Sequence, residues 1–164
     1  LSIYYNVSKY HLRNFFIYNN AMIAHIGVGI MILGITCSSI YQSEYDQTFA
    51  INEVKTIGKY SLKLKDIQLY DKSNFQELRG VFTLSGNNLA PLSINPSKRF
   101  YHVSKILTTE AGIYHDWFQD FYIVLGTEKD NKWNVKIYQN PLVSFIWIGI
   151  LLMIFSGFMG IRKR

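Results

Sequence analysis

His25 lies in residues 21–40, AMIAHIGVGIMILGITCSSI, a run with no Asp, Glu, Lys or Arg. An ionisable side chain is costly at lipid depth, and one that occurs there points at a protein interior, a water-filled cavity or a ligand. Two chemistries suit a neutral imidazole in such a run: a hydrogen bond to another helix, or axial ligation of the iron of a buried haem. Ala24, Gly27, Gly29 and Gly34 are small, so a neighbouring backbone or a flat cofactor can come close to this segment. The residues themselves leave both readings open.

The chain offers no second ligand for the same metal. His11 stands fourteen residues earlier, about 21 Å along a helix. His102 and His115 belong to a different, β-rich stretch, where a histidine makes ordinary hydrogen bonds or serves as a transient ligand for a mobile haem. In Pro96-Ser97-Lys98-Arg99-Phe100-Tyr101 two cations stand beside two aromatics after a turn. Lys98 and Arg99 could clamp a carboxylate such as a haem propionate or a partner's side chain, with Arg99 able to grip bidentately. A solvated turn with its aromatics in a core fits the same residues. Glu110, Asp116 and Asp120 add carboxylates, but no nucleophile–base spacing, paired-histidine helix or glycine-rich phosphate loop accompanies them. Independent hydrolase and ATPase chemistry is therefore not expected. The single cysteine, Cys37, rules out an internal disulfide framework and a multi-cysteine metal site. It sits in apolar sequence without an activating cation and is expected to pack.

The elements that must position these residues follow from the distribution of apolar and charged residues. Only 17% of the 164 residues are charged, against roughly 25% in soluble domains. The mean hydropathy of +0.05 then places the apolar residues in blocks. Residues 21–40 form one block and residues 141–161, opening on Pro141 as a helix start, form another. Each is long enough to cross a hydrocarbon core of about 30 Å as a helix. Residues 1–20 are expected as an inner flank or helix extension, and residues 162–164 as a basic inner tail. Lys9, Arg13, Arg162, Lys163 and Arg164 flank the two spans, which puts both ends on the inner side. Tyr41 and Trp147 fall near the outer interface as anchors. The other twelve basic residues face eleven acidic ones in residues 41–140, so the net charge of +6 is mainly topogenic. It gives no reason to expect nucleic-acid binding.

Residues 41–140 are too long for a loop and read as an outer domain. Alternation in Tyr60-Ser61-Leu62-Lys63-Leu64-Lys65-Asp66, the run Val81-Phe82-Thr83-Leu84, and a hairpin joining residues 121–126 to 132–138 predict strands. Asn95-Pro96 and Gly86-Asn87-Asn88 predict turns. The expected fold is membrane α plus β: two transmembrane helices flanking a β-rich extramembrane domain, a small barrel or sandwich.

In order along the chain, Ala24-His25-Ile26-Gly27-Val28, the Pro96–Tyr101 motif, Thr109-Glu110, Asp120-Phe121-Tyr122-Ile123-Val124-Leu125-Gly126, Pro141-Leu142-Val143 and Ile146-Trp147-Ile148-Gly149 resemble the C-terminal part of the CcmF family. That family forms the large membrane subunit of the cytochrome c haem lyase system. The resemblance implies that His25 is an axial ligand of a haem b among the membrane helices, with the second ligand supplied by another chain or a missing segment. It implies as partners the segments carrying the tryptophan-rich WWD region, the haem chaperone CcmE, apocytochrome c, membrane lipid, and a larger respiratory-membrane assembly. The WWD region has no counterpart in these residues, and Ser97 stands where the family pattern suggests an acidic residue. A split or partial haem lyase, inactive as this chain alone, is the expectation. The alternative is a noncatalytic accessory subunit retaining the fold. A composition rich in Ile, Asn, Lys and Tyr favours the mitochondrial inner membrane, with the domain in the intermembrane space. The alternative is a bacterial inner membrane with the domain periplasmic.

Overall fold

The computed structural model describes residues 20–86 and 89–161 and divides into a helical unit and an outer unit, Gln42–Asn140. The flanking basic residues, the helix extension before Asn20 and the Asn87-Asn88 part of the expected turn lie outside the described residues.

The helical unit is an antiparallel pair, α1 (Asn20–Ile40) and α2 (Val143–Ile161). Both helices are long and apolar enough to cross a membrane by length and composition. In lipid no hydrophobic force pulls two helices together, so their pairing depends on close packing and interhelical hydrogen bonds. The seam has that character. Gly27 lies against Gly149, Gly34 against Ile146, and the Ser156 hydroxyl donates to the Asn20 carbonyl. The remaining faces carry exposed Ile32, Leu33, Leu151, Phe155 and Phe158, together with Trp147.

α2 begins two residues later than expected from Pro141. The proline instead ends a strand, and Leu142, at φ +57°, makes the turn into the helix. A strand end tolerates proline because its missing N–H lies past the hydrogen-bonded ladder.

The outer unit is a two-sheet sandwich. Its strands are β1 (Ser43–Phe49), β2 (Val54–Ile57), β3 (Tyr60–Asp71), β4 (Phe75–Gly86), β5 (Leu89–Ile94), β6 (Ser97–Tyr101), β7 (Leu107–Glu110), β8 (Gly112–His115), β9 (Gln119–Lys129) and β10 (Lys132–Pro141). One sheet has the order β1-β10-β9-β8; the other has β2-β3-β4-β6-β7, with β5 also on β4. The interior follows the period-two rule of strands. Leu62 and Leu64 on β3, Phe82 and Leu84 on β4, Phe121, Ile123 and Leu125 on β9, and Val135 and Ile137 on β10 are buried together with Phe49. A bulge between Leu64 and Asp66 resets the alternation on β3, so that Ile67 joins the core side.

The β9–β10 hairpin turns on Asp130 and Asn131, both at positive φ, the geometry of a tight two-residue connection. β5 and β6 share one edge of β4, the first pairing with Phe82–Gly86 and the second with Phe75–Arg79. The break between them falls at Asn95-Pro96, the expected turn. β1 pairs with β10 from Ser43↔Gln139 to Phe49↔Trp133. Just beyond that ladder the Gln42 side-chain amide donates to the Asn140 amide oxygen at 2.8 Å.

Candidate functional site

His25 is on the first turns of α1, on a face that α2 does not cover, and its ring is exposed within the chain. Nδ1 is 2.7 Å from the carbonyl oxygen of Ala21, one turn earlier. A carbonyl only accepts, so in the neutral imidazole Nδ1 carries the proton and donates it. Nε2 then carries the lone pair, and among the described residues it makes no hydrogen bond. This is the tautomer that ligation through Nε2 requires, oriented by a backbone hydrogen bond on the other nitrogen.

The small residues around His25 divide into two groups. A Cβ on Gly27 would stand 2.8 Å from the Gly149 carbonyl oxygen, and one on Gly34 would stand 2.7 Å from the Ile146 nitrogen. Both glycines therefore serve the helix seam and give a cofactor no approach. Gly29 is one turn beyond His25 on the same face, and a Cβ there would meet nothing within 4 Å. His25 and Gly29 together leave an open strip with one lone-pair nitrogen beside bare backbone.

Among the described residues no group of three or more His, Cys, Asp and Glu could hold a metal ion. A haem would need only one or two axial groups from protein, and the His25 imidazole has the chemistry for one of them. His11 lies outside the described residues. His102 and His115 are in the sandwich, each beside a carboxylate. His102 Nε2 is 3.7 Å from Asp71, and His115 Nδ1 donates to the buried Asp120 at 2.5 Å. Cys37 is a free thiol, half-buried on α1.

Lys98 and Arg99 do not form a joint clamp, because adjacent residues of β6 project to opposite faces. Arg99 shares its face with Ser97 and Tyr101, and its guanidinium is already engaged. It lies 3.3 Å from Glu77 and 3.7 Å from Glu110, and over the Phe75 ring at 5.2 Å. Lys98, half-buried on the other face, has no ion pair among the described residues.

Glu77 is the centre of this cluster and did not stand out in the sequence. It is only 3% exposed, pairs with Arg79 at 2.8 Å, and faces Arg99 across the β4–β6 ladder. Burial opposes its ionisation, but the Ser97 hydroxyl and the two arginines outweigh that and hold the carboxyl below its ordinary range. Ser97 replaces an expected acidic residue with a buried hydroxyl that donates to Glu77. A second carboxylate at that position would have repelled the first.

Residues 40–141 match the family described as the CcmF C-terminal beta-sandwich. The chain is 32% identical over 144 residues to the cytochrome c-type biogenesis protein CcmF of Haemophilus influenzae, covering 87% of this chain and 22% of that protein. It is 32% identical to the cytochrome c-type biogenesis protein CycK of Bradyrhizobium diazoefficiens, covering 88% and 22%, and 28% identical to Escherichia coli CcmF, covering 87% and 22%. The chain thus spans about a fifth of the length of these relatives. A solved structure titled cytochrome c heme lyase CcmF superposes with a TM-score of 0.71 at 14% identity, over 85% of this chain and 24% of that one. The likeness extends the shared fold beyond the sandwich. The two apolar helices, the ten-stranded sandwich between them and the matched sequence agree: the chain belongs to the CcmF family of cytochrome c-type biogenesis proteins.

Proposed function

We propose that this chain contributes the C-terminal part of a membrane haem lyase for cytochrome c maturation, with His25 as one axial ligand of a resident haem b. The observation that carries the reading is the Nδ1–H donation to Ala21, which leaves Nε2 with the lone pair beside the open backbone at Gly29. When bound, haem b supplies a one-electron couple suited to reducing the iron of a haem that is to be joined to apocytochrome c. The chain's own part is to hold the imidazole in one tautomer, keep Gly29 clear of side chain, and lock α1 to α2 so that the ligand does not wander. The second axial ligand and the haem-presenting WWD surface come from segments other than these residues. The reaction therefore belongs to an assembly, with CcmE and apocytochrome c as its partners.

In the sandwich, the Glu77 cluster holds β4, β6 and β7 in register. Lys98, on the opposite face of β6, is left for a propionate or a partner's carboxylate, whereas Arg99 contributes through Glu77. The relatives compared are bacterial, which supports a bacterial inner membrane with the sandwich periplasmic. They lend no support to the mitochondrial reading.

The test is His25→Ala in the purified, complete assembly. The expected outcome is an intact complex that has lost the reduced absorbance band of haem b. A complex that retains all its haem, or a wild-type complex that carries none, overturns the assignment and leaves an accessory structural role.

A further inference from the structure

The β8–β9 connection ends in Asp116-Trp117-Phe118, and its two aromatics are 71% and 70% exposed. The sandwich has a core into which such side chains would ordinarily fold, and the turn is not a loose one. The Asp116 N–H donates to the Gln119 carbonyl at 3.0 Å, and the Trp117 N–H donates to the Asp116 carboxylate at 2.7 Å. The backbone therefore holds the two largest apolar side chains of the turn outward.

The place of this tip in the sandwich is specific. Phe118 and Gln139 line one shallow hollow together with Gly58 and Lys59 of the β2–β3 turn. Gln139 is opposite Ser43, where β1 begins. That end of the four-stranded sheet is where the chain comes from α1 and departs to α2. Ile40 and Ser43 are three residues apart and Pro141 and Val143 two, so chain reach keeps the strand ends within about 10 Å of the helix ends. If α1 and α2 cross a bilayer, these short connections, and not any packing of one unit on the other, tie this end of the sheet to its surface.

We infer that Trp117 and Phe118, with the exposed Lys59 beside them, form a membrane-interface anchor that inserts into the headgroup region of the outer leaflet. Aromatic side chains prefer that depth, and lysine extends its charge to the phosphates while its stem lies along apolar surface. The anchor adds a third point of attachment to the two covalent ones and restrains tilting of the sandwich on its short connections. The inference rests on the helices crossing the membrane and is independent of haem binding at His25.

The 164-residue chain carrying Trp133→Phe and Trp147→Phe keeps Trp117 as the one tryptophan among those residues. In phosphatidylcholine vesicles containing lipids brominated near the headgroup end of the acyl chains, Trp117 emission should shift to the blue and lose most of its intensity. Lipids brominated near the chain terminus should quench it less. A companion protein retaining Trp147 alone reports whether α2 is in the bilayer, so failure of the membrane reading is distinguished from failure of the anchor. With Trp147 quenched by lipid, red emission from Trp117 that aqueous iodide quenches overturns the inference. Blue emission insensitive to brominated lipid also overturns it, because the tip is then packed on protein. A nitroxide at Phe118→Cys in a Cys37→Ser background avoids any folding defect of the tryptophan variants. It should relax more with oxygen than with a water-soluble nickel complex, and the reverse order overturns the inference.

Discussion

Gly27 and Gly149 meet backbone to backbone: a Cβ on the first would stand 2.8 Å from the carbonyl oxygen of the second, and a Cβ on the second 2.5 Å from that of the first. Neither contact can be relieved by moving a flexible side chain. Gly149→Leu should therefore force α1 and α2 apart, at a cost of about 1–3 kcal/mol by analogy with overpacked cores. A lower melting temperature of the helical unit in detergent is the measurement.

Gly29→Leu separates the seam from the open strip. Its Cβ meets nothing within 4 Å, and leucine is the better helix former, so helix pairing and thermal stability should be unchanged or slightly improved. Haem content of the complete assembly should nonetheless fall, because the new side chain occupies the space beside His25. Undiminished haem in a stable Gly29→Leu assembly would show that the cofactor approaches from elsewhere.

Glu77→Gln leaves Arg79 and Arg99 facing each other without their shared counter-charge. Breaking a fully buried pair costs several kcal/mol, but both guanidinium groups keep about a third of their surface in solvent, so about 2 kcal/mol is the expected loss. Urea unfolding of the sandwich should show a lower midpoint with an unchanged slope.

The same carboxylate predicts an acid dependence. Its folded-state pKa lies below the ordinary value of 4.5, so the unfolded chain takes up the proton first as pH falls. The stabilisation is complete above the unfolded value and is lost as pH drops from there through the lower folded value. Glu53, held low chiefly by the N–H of Ala50, acts in the same direction. The melting temperatures of wild type and Glu77→Gln should differ most near neutral pH and converge in acid.

The strands that could be read from sequence are those whose interior residues alternate, β3, β9 and β10 and the Val81–Leu84 part of β4, with Asp130-Asn131 marking the hairpin turn. β1 reads Ser43-Glu44-Tyr45-Asp46-Gln47-Thr48-Phe49 and gives little sign of a strand, because only Tyr45 and Phe49 contribute apolar surface. Its pairing with β10 depends on residues some ninety positions away. The uncharged run identified His25, but the division of Gly27 and Gly34 from Gly29 depends on how α1 is rotated against α2. Composition does not contain that angle. Glu77 was invisible for a related reason: Gln76-Glu77-Leu78-Arg79 looks like a solvated strand until β6 brings Ser97 and Arg99 over it. Trp117 and Phe118 were not singled out, because only the pairing of β8 with β9 shows that they stand in a turn.

The hydrogen bond between Gln42 and Asn140 joins the first and last residues of the outer unit. A body whose own termini touch can be excised and closed by a short linker without stretching either end. The sandwich is thus topologically a cassette set into a helical hairpin. The sheet order is set by strands of the outer unit alone, and the helix seam by residues of the helical unit alone.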